Sequence, residues 1–534
     1  MPNLWKKVID QLVWRQVPPT PNAHAAGAAL ASDLRNDVSR MPFVYQLVSA
    51  TVLNRFNIVT KGWHFVQSPA LAGTFGAGAA AAFAPSFGLV GTIAAGATTT
   101  SVVLSTALPT AVGLNMLANR GGSGDFGFRI RIIDTVAGKT EERWIVGNTA
   151  GATPTISLHA ALTFTPATGA RYEILAGRLF MLGAGTTAAN IWRSFEVASN
   201  TLSTGLSTTN LPATIGTDSA IAVLDELYVP YNHAPGEGVV KGATLYDTGL
   251  NALLATASGA STVTGQATGG DAVVAANEYR NFQIRIVADP TTPASVGQRR
   301  IIASHTAGPS AVYTLGTAWT TQPSSSARFV IEQPNLLLLR SSAATTVYVY
   351  NYGDATVNNG TNSIAAGAWS TTYFAAAPAA NAAGGVWAQS FGIQPDAARN
   401  ARHSFNFFFR GGAATLDVLD IANTITGTWT GAVVYDGAVT LGTGSGGSYA
   451  PFGSEGRMTY INAYTASAIS QVFRFDAQNR VLSPYTPTDF LQSGTAAVGN
   501  RVATYCAIDG TDKYDIVLLN AHLSTVSQEL VVLV

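Results

Sequence analysis

The sequence predicts an all-β chain, and three observations predict it: alternating β-branched and aromatic runs, an internal duplication, and a hairpin signature that recurs along the remainder. Runs such as Phe128 to Ile133 (FRIRII) and Thr346 to Tyr350 (TVYVY) are bounded by Gly, Asn, Asp or Pro, as strands are. Long helical periodicity is absent. One helix is expected, over Ala25 to Arg40, Ala-rich, with Asp33, Arg35, Asp37 and Arg40 toward its end and Met41-Pro42 as its stop. It follows an amphipathic stretch, Met1 to Val17, and a Pro-rich turn, Val17 to Pro21.

The duplication carries the most information, because fixed self-similarity reveals a repeated structural unit. Arg143 to Gly151 (RWIVGNTAG) matches Arg300 to Gly308 (RIIASHTAG), where 300 − 143 = 157. Ala170 to Ile174 (ARYEI) matches Ala327 to Ile331 (ARFVI), where 327 − 170 = 157. Upstream, Phe128 to Ile133 matches Phe282 to Val287 (FQIRIV), where 282 − 128 = 154, so three residues are inserted between. Two copies of one β-module follow, Ala72 to Ala176 and Ala255 to Pro334. The expected division is an N-terminal arm and helix over 1–42, a body segment over 43–71, module 1 over 72–176, a body segment over 177–254, module 2 over 255–334, and the remaining body over 335–534.

In the body an aromatic residue or Leu, a polar residue and an apolar one end a strand before a polar turn. Instances are Phe56-Asn57-Ile58, Phe195-Glu196-Val197, Tyr350-Asn351-Tyr352, Leu419-Asp420-Ile421 and Phe475-Asp476-Ala477, with Leu245-Tyr246-Asp247 and Leu519-Asn520-Ala521 as degenerate copies. Trp63, Leu202, Ile425 and Val481 restart the chain. Each instance reads as one hairpin of a repeated sheet, with Asn supplying turn conformations that bulky residues avoid.

Composition bounds function. Of 534 residues, 47% are hydrophobic but only 11% are charged, against a usual value of about 25%. Ala, Gly, Thr and Ser take the place of charge. A surface so poor in charge favours association, so burial against further copies of the chain is expected. Net charge is zero, which excludes wholesale capture of nucleic acid or an anionic membrane. No apolar run is long enough to span a bilayer. No secretory leader is visible, so synthesis in a host cytoplasm, with export only as part of a particle, is expected. The single Cys506 excludes an internal disulfide framework.

A reactive constellation is not found. The seven His residues are His24, His64, His159, His233, His305, His403 and His522, and none has a second His or a Cys at metal-ligand spacing. His305 stands where module 1 has Asn148, so the sister position does without an imidazole. Asp225, Glu226, Glu237 and Asp396 could furnish a glycosidase pair but lie near turns. Arg399, Arg402 and Arg410 are close in sequence without forming a placeable triad. Gly121 to Gly124 and Gly442 to Gly447 lack the Lys and helix of a phosphate loop. Asp509 to Lys513 lacks the later Glu of a calcium loop and reads as a tight hairpin. Phe405 to Phe409 and Tyr348 to Tyr350 read as buried strands rather than stacking platforms. No catalytic, cofactor-binding or metal residue is therefore expected, and the chain is expected not to be an enzyme.

Val472 to Arg480 (VFRFDAQNR) and Trp192 to Asn200 (WRSFEVASN) resemble the closing hairpins of kelch-type β-propeller blades. Trp63 matches that family's Trp, Leu202 and Val481 depart from it, and its Gly doublet is clear only at Gly411-Gly412. The resemblance implies a propeller-like body of about five to seven blades, with the two homologous β-domains inserted into its loops, beside the short N-terminal helical segment read from the residues; a β-sandwich array is the structural alternative. The whole chain also resembles bacteriophage virion proteins in style, pairing a Thr/Ala/Gly-rich β-chain with a duplicated insert. That resemblance implies a structural protein of the neck, tail nozzle or collar, assembling as a homo-oligomeric ring with other virion proteins. A head decoration role and a glycan-binding or tail-spike role on a host surface are the alternatives, and the arm Met1 to Arg40 is the expected peg into a neighbouring subunit.

Overall fold

The computed structural model describes residues 15–23, 28–32, 43–48, 52–58, 60–66, 79–86, 88–109, 112–118, 127–183, 191–203, 205–212, 215–216, 218–225, 253–265, 275–308, 310–389, 395–396, 401–402, 405–450, 458–464, 470–477, 479–484, 502–509, 512–520 and 527–532. Over these residues it is nearly all β, with two single-turn 3-10 helices and no longer helix.

A propeller forms the body. Five four-stranded antiparallel blades follow one another along the chain. Blade 1 comprises Ala29–Ser32, Phe43–Val48, Val52–Asn57 and Gly62–Phe65; blade 2 comprises Ala80–Ala84, Arg178–Gly183, Ile191–Glu196 and Thr201–Leu202. Blade 3 comprises Ala220–Leu224, Leu336–Arg340, Val347–Asn351 and Trp369–Ser370; blade 4 comprises Ala382–Gln389, Phe405–Gly411, Leu416–Asp420 and Thr428–Val433. Blade 5 comprises Gly446–Ala450, Met458–Tyr464, Ser470–Asp476 and Val481–Pro484. A sixth sheet joins Val502–Asp509, Asp512–Asn520 and Ser527–Val532 to the N-terminal strand Arg15–Val17, with Arg15 opposite Glu529 and Val17 opposite Ser527. The arm expected to reach a neighbour thus spends these residues on its own chain.

The first strands of the sheets form a ring. Ala29–Ser32 abuts Ala80–Ala84, followed in turn by Ala220–Leu224, Ala382–Gln389, Gly446–Ala450 and Val502–Asp509, which returns to Ala29–Ser32. Strands converging on one axis leave room for small side chains only, because interiors are close-packed. The sequence supplies Ala29, Ala31, Ala80, Ala82, Ala220, Ala222, Gly384, Gly385, Gly446 and Gly447 there. A Cβ on Gly384 would lie 2.0 Å from the Gly442 carbonyl oxygen, and one on Gly447 would lie 2.5 Å from Val386 Cγ1.

This corrects the N-terminal helix. Ala29–Ser32 is the innermost strand of blade 1 and all four residues are buried, while 24–27 and 33–42 lie outside the described residues. Helix propensity is a weak preference that packing overrides, and Ala here answers a demand for small volume.

The aromatic-polar-apolar signature ends the third strand of each of the five blades. Phe56, Phe195, Tyr350, Leu419 and Phe475 are buried between blades. The polar residue caps the following turn: Asn57 Oδ1 accepts from Thr60 N–H, Asn351 Oδ1 from Gly353 N–H, Asp420 Oδ1 from Ala422 N–H, and Asp476 Oδ1 from Asn479 N–H. Leu519-Asn520 ends a second strand, so it is not a further copy, and Leu245 to Asp247 lies outside the described residues.

Both modules leave the propeller at the ends of first strands, module 1 from blade 2 and module 2 from blade 3. Asp225, at the root of module 2, is fully buried and accepts from Ser86 N–H and Oγ–H, at the root of module 1, and from the Tyr352 hydroxyl, at 3.2, 2.8 and 2.5 Å. Beyond the roots the modules share one twelve-stranded sheet, joined where Lys139 stands opposite Ala288. The duplicated residues make duplicated turns. Arg143 Nε donates to Ala161 O and Arg300 Nε to Ala318 O; Thr149 Oγ1 accepts from Thr155 N–H and Thr306 Oγ1 from Val312 N–H. The repeated Gly151 and Gly308 hold φ of +119° and +98°, which bulkier residues resist.

Candidate functional site

Charge is concentrated where the modules meet. In Arg129–Asp134 the residues alternate, Ile130 and Ile132 toward the module core and Arg129 and Arg131 toward the other face. Glu142 and Glu173 stand opposite Arg131 on its two neighbouring strands. Arg131 Nε donates to Glu142 Oε1 at 2.7 Å and Nη1 donates to Glu173 Oε2 at 2.9 Å. Arg299 of module 2 crosses to Glu173 at 3.2 Å, and Arg171 pairs with both Glu173 and Asp354 of the blade 3 loop. In module 2, Arg285 takes Glu332 bidentately at 2.9 and 3.0 Å. Three parts of the chain are thus pinned together by one network.

Its electrostatics give the network a pH dependence. Burial pushes the Glu142 carboxyl up, but Arg131, Arg129 and Arg285 outweigh it and hold the group below its ordinary value. Glu173 is likewise depressed: burial opposes ionisation, and Arg299, Arg131, Arg171 and Arg285 prevail. A carboxyl depressed in the folded state stabilises fully above its unfolded value, and that contribution is lost as pH falls through the folded one. The stability from Glu142 and Glu173 is therefore complete above the ordinary value of 4.5 and declines below it. Melting temperature is expected to hold between pH 7 and 5 and to fall steeply toward pH 3; Glu142→Gln with Glu173→Gln should start lower and flatten that fall.

The two module tips are built alike. Asn115 and Asn277, both left-handed at φ +58° and +63°, receive Asn148 N–H and His305 N–H on their side-chain oxygens. Asn148 Oδ1 then accepts from Leu117 N–H, as His305 Nε2 does from Tyr279 N–H. With Nδ1–H donating to Thr306 O, His305 is a neutral structural ring doing the work of an amide. The tips differ in their surroundings. Module 2 sets Arg280 on the carbonyls of Ala422 and Asn423, and Asn281 on those of Ile421, Thr424 and Ile425, in the blade 4 turn. Module 1 has Gly127 at the place of Asn281.

A small pocket, about 60 Å³, opens where the first strands of blades 2 and 3 begin, at the end opposite the module roots. Ala79, Asp218, Ser219, Trp387 and Ser445 line it. Asp218 is buried, left-handed at φ +53°, and accepts Gly444 N–H at 2.7 Å. The Ser219 and Ser445 hydroxyls donate to Gly216 O and Gly442 O, and the Trp387 indole donates to Ala220 O. The polar groups at its wall are thus engaged within the chain.

The residues singled out in the sequence are scattered. Asp225 locks the module roots, and Glu226, Glu237, His24, His233, His403, His522, Arg399 and Gly121 to Gly124 lie outside the described residues. Asp396 and Arg402 lie on two facing strands, Pro395–Asp396 and Ala401–Arg402. Arg410 pairs with Asp417 at 3.2 Å, which also meets the buried Arg340 at 3.5 Å. His64 is exposed on the outer strand of blade 1. His159 Nδ1 accepts Trp144 N–H, and burial with Arg143 nearby keeps its ring below the ordinary value, hence neutral at pH 7. Asp509 faces Asp512 across a hairpin tip. Phe407, Phe408, Phe409, Tyr348 and Tyr350 are buried. Among the described residues no group of three or more His, Cys, Asp or Glu is placed to hold a metal. Sequence reasoning missed Arg131, Glu142, Glu173 and Arg299. Their signal was present, since FRIRII places charge on alternate positions and FQIRIV repeats Arg131 as Arg285.

No protein-family model matches this chain, and no curated protein matches it. Among solved structures it matches the NanB sialidase of Streptococcus pneumoniae in complex with 2-[(3-chlorobenzyl)ammonio]ethanesulfonate, at 8% identity and a TM-score of 0.24, covering 98% of this chain and 94% of that one. A second match is NanB with Optactamide, at 7% identity and a TM-score of 0.25, covering 98% and 96%. This corrects the expectation that the chain is not an enzyme: the structures it matches are of an enzyme. At this level of similarity neither activity nor residues transfer. The chain is an all-β, propeller-bodied protein carrying two fused modules.

Proposed function

We propose that this chain is a multi-copy structural subunit of a bacteriophage particle, of the neck, tail nozzle or collar kind. The propeller is its rigid body and the paired modules are its projecting face. The observation that supports the reading is where the charge lies. The chain has 30 basic and 30 acidic residues, and among the described residues fifteen charged side chains are buried. Those include Arg131, Glu142, Arg285, Glu332, Arg340 and Asp417, so the surface is poorer in charge than the composition alone implies. Thr-, Ser- and Ala-rich faces cost less to dehydrate than charged ones, and apolar area removed from water then drives association at about 25 cal/mol per Å².

Sedimentation velocity on the purified full-length chain, across a wide concentration range, tests this. One closed oligomer is expected. A monomer at every concentration removes the reading.

A further inference from the structure

We propose that a halide-sized anion binds between blades 3 and 4, held by the Nε–H of Arg340 and the Nδ2–H of Asn381 beside Arg410. The site lies apart from the module network, and it holds for a single copy as for many.

Arg340 closes the second strand of blade 3, opposite Ala220 of the first, and its side chain is fully buried. The guanidinium packs on the rings of Phe408 and Trp429 in blade 4, with Cζ 4.2 and 5.4 Å from their centroids. Acceptors must therefore reach it in its own plane. Nη2–H donates to Ala379 O at 2.8 Å, and Nη1–H meets Asp417 Oδ2 only at 3.5 Å. Nε–H is buried and meets no acceptor among the described residues. Nε and Nη2 share one edge of the guanidinium, and the Ala344 carbonyl at the Nη2 end also accepts Asn381 N–H. Asn381 is buried too. Its Oδ1 accepts Gly411 N–H at 2.9 Å, next to Arg410, while its Nδ2 meets no acceptor among the described residues. Two buried donors thus stand on one short stretch of the interface between the blades. A buried polar group without a hydrogen bond is costly, so both call for an acceptor.

Charge decides what that acceptor is. Elsewhere the chain pairs its buried arginines closely: Arg131 takes two carboxylates at 2.7 and 2.9 Å, and Arg285 takes Glu332 at 2.9 and 3.0 Å. Arg340 and Arg410 instead share one carboxylate, Asp417, at 3.5 and 3.2 Å, longer than charge-assisted pairs usually are. Asp417 Oδ1 is divided further, since it also accepts Ala432 N–H. Burial, opposed by Asp417 and aided by Arg410, lowers the Arg340 pKa to about 10, so the group stays charged at pH 7. Two positive groups against one negative leave an excess of one positive charge. A water molecule would satisfy the donors and leave that charge; an anion answers both. Burial of Arg340 and Asn381 favours a monatomic anion over phosphate or an organic carboxylate, and Arg410, 16% exposed, gives it a way in from solvent.

The test compares melting of the full-length chain in sodium bromide, sodium chloride and sodium gluconate at equal ionic strength, gluconate being too large for the site. Halide should raise the melting temperature by about 2 °C at about a hundredfold excess over its dissociation constant. Asn381→Asp keeps the acceptor for Gly411 N–H and supplies a negative charge of its own. It should melt in gluconate no lower than the parent and show no difference between the salts. A parent that melts alike in all three salts overturns the proposal, as does a halide response undiminished in Asn381→Asp. Where Asn381→Asp melts too early to compare, bromide anomalous scattering in crystals of the parent decides. A peak within hydrogen-bond distance of Arg340 Nε and Asn381 Nδ2 upholds the site; a peak elsewhere, or none, overturns it.

Discussion

Replacing Arg131 by Ala is expected to lower the unfolding free energy by about 3–5 kcal/mol, the usual loss when one member of a buried ion pair is removed. Arg131 is fully buried and spans two carboxylates at 2.7 and 2.9 Å. Without it, Glu142 keeps only Arg129 and Arg285, and Glu173 keeps Arg299, Arg171 and Arg285, against the burial that opposes their ionisation, and the two carboxylates are left closer to mutual repulsion. Arg131→Lys should recover only part of the loss, because an ammonium is a point charge and cannot fork between two acceptors. Arg171→Ala is the control. Its side chain is 39% exposed, and removing it should cost less than about 1 kcal/mol. Urea denaturation midpoints measure all three; equal losses for Arg131→Ala and Arg171→Ala would show that the network is a surface feature.

Deleting Met1 to Thr20 is expected to destabilise the body itself. As a peg into a neighbouring subunit the arm could be removed without unfolding the body, but Arg15–Val17 is the outer strand of the last sheet. Val17 packs with Leu30, Val44, Phe56, Ile58, Ala503 and Leu518, where the first and last sheets meet. Burying such a side chain is worth about 1.5–3 kcal/mol, and the deletion also bares a strand edge open to edge-to-edge aggregation. The truncated chain should melt earlier, aggregate on standing, and be cut first within 502–532 by a protease. Val17→Ala should show the smaller melting shift without aggregation. A truncated chain as stable as the parent would place closure of the ring elsewhere.

What could be read from the residues alone follows physical lines. The duplicated module was legible because its turns demand particular residues, Thr149 and Thr306 for their hydroxyls and Gly151 and Gly308 for left-handed backbone. The five blades were legible for a similar reason: each third strand ends in a core residue followed by a capping one, as at Phe475-Asp476. The helix over Ala25 to Arg40 failed because Ala satisfies two demands, helix propensity and small volume. Only the convergence of first strands on an axis shows which of them applies at Ala29 and Ala31. The same convergence revises the account of composition, since part of the Ala and Gly content serves the axis rather than the surface. The charge network was hidden because its members lie far apart in sequence, with Glu173 meeting Arg299 only once the two modules share a sheet.

Single-particle electron microscopy of the purified full-length chain tests the central claim most directly. It should show copies joined in a ring, each a closed propeller with both modules on one face. Isolated particles, or a propeller gaping between its first and last sheets, would contradict it.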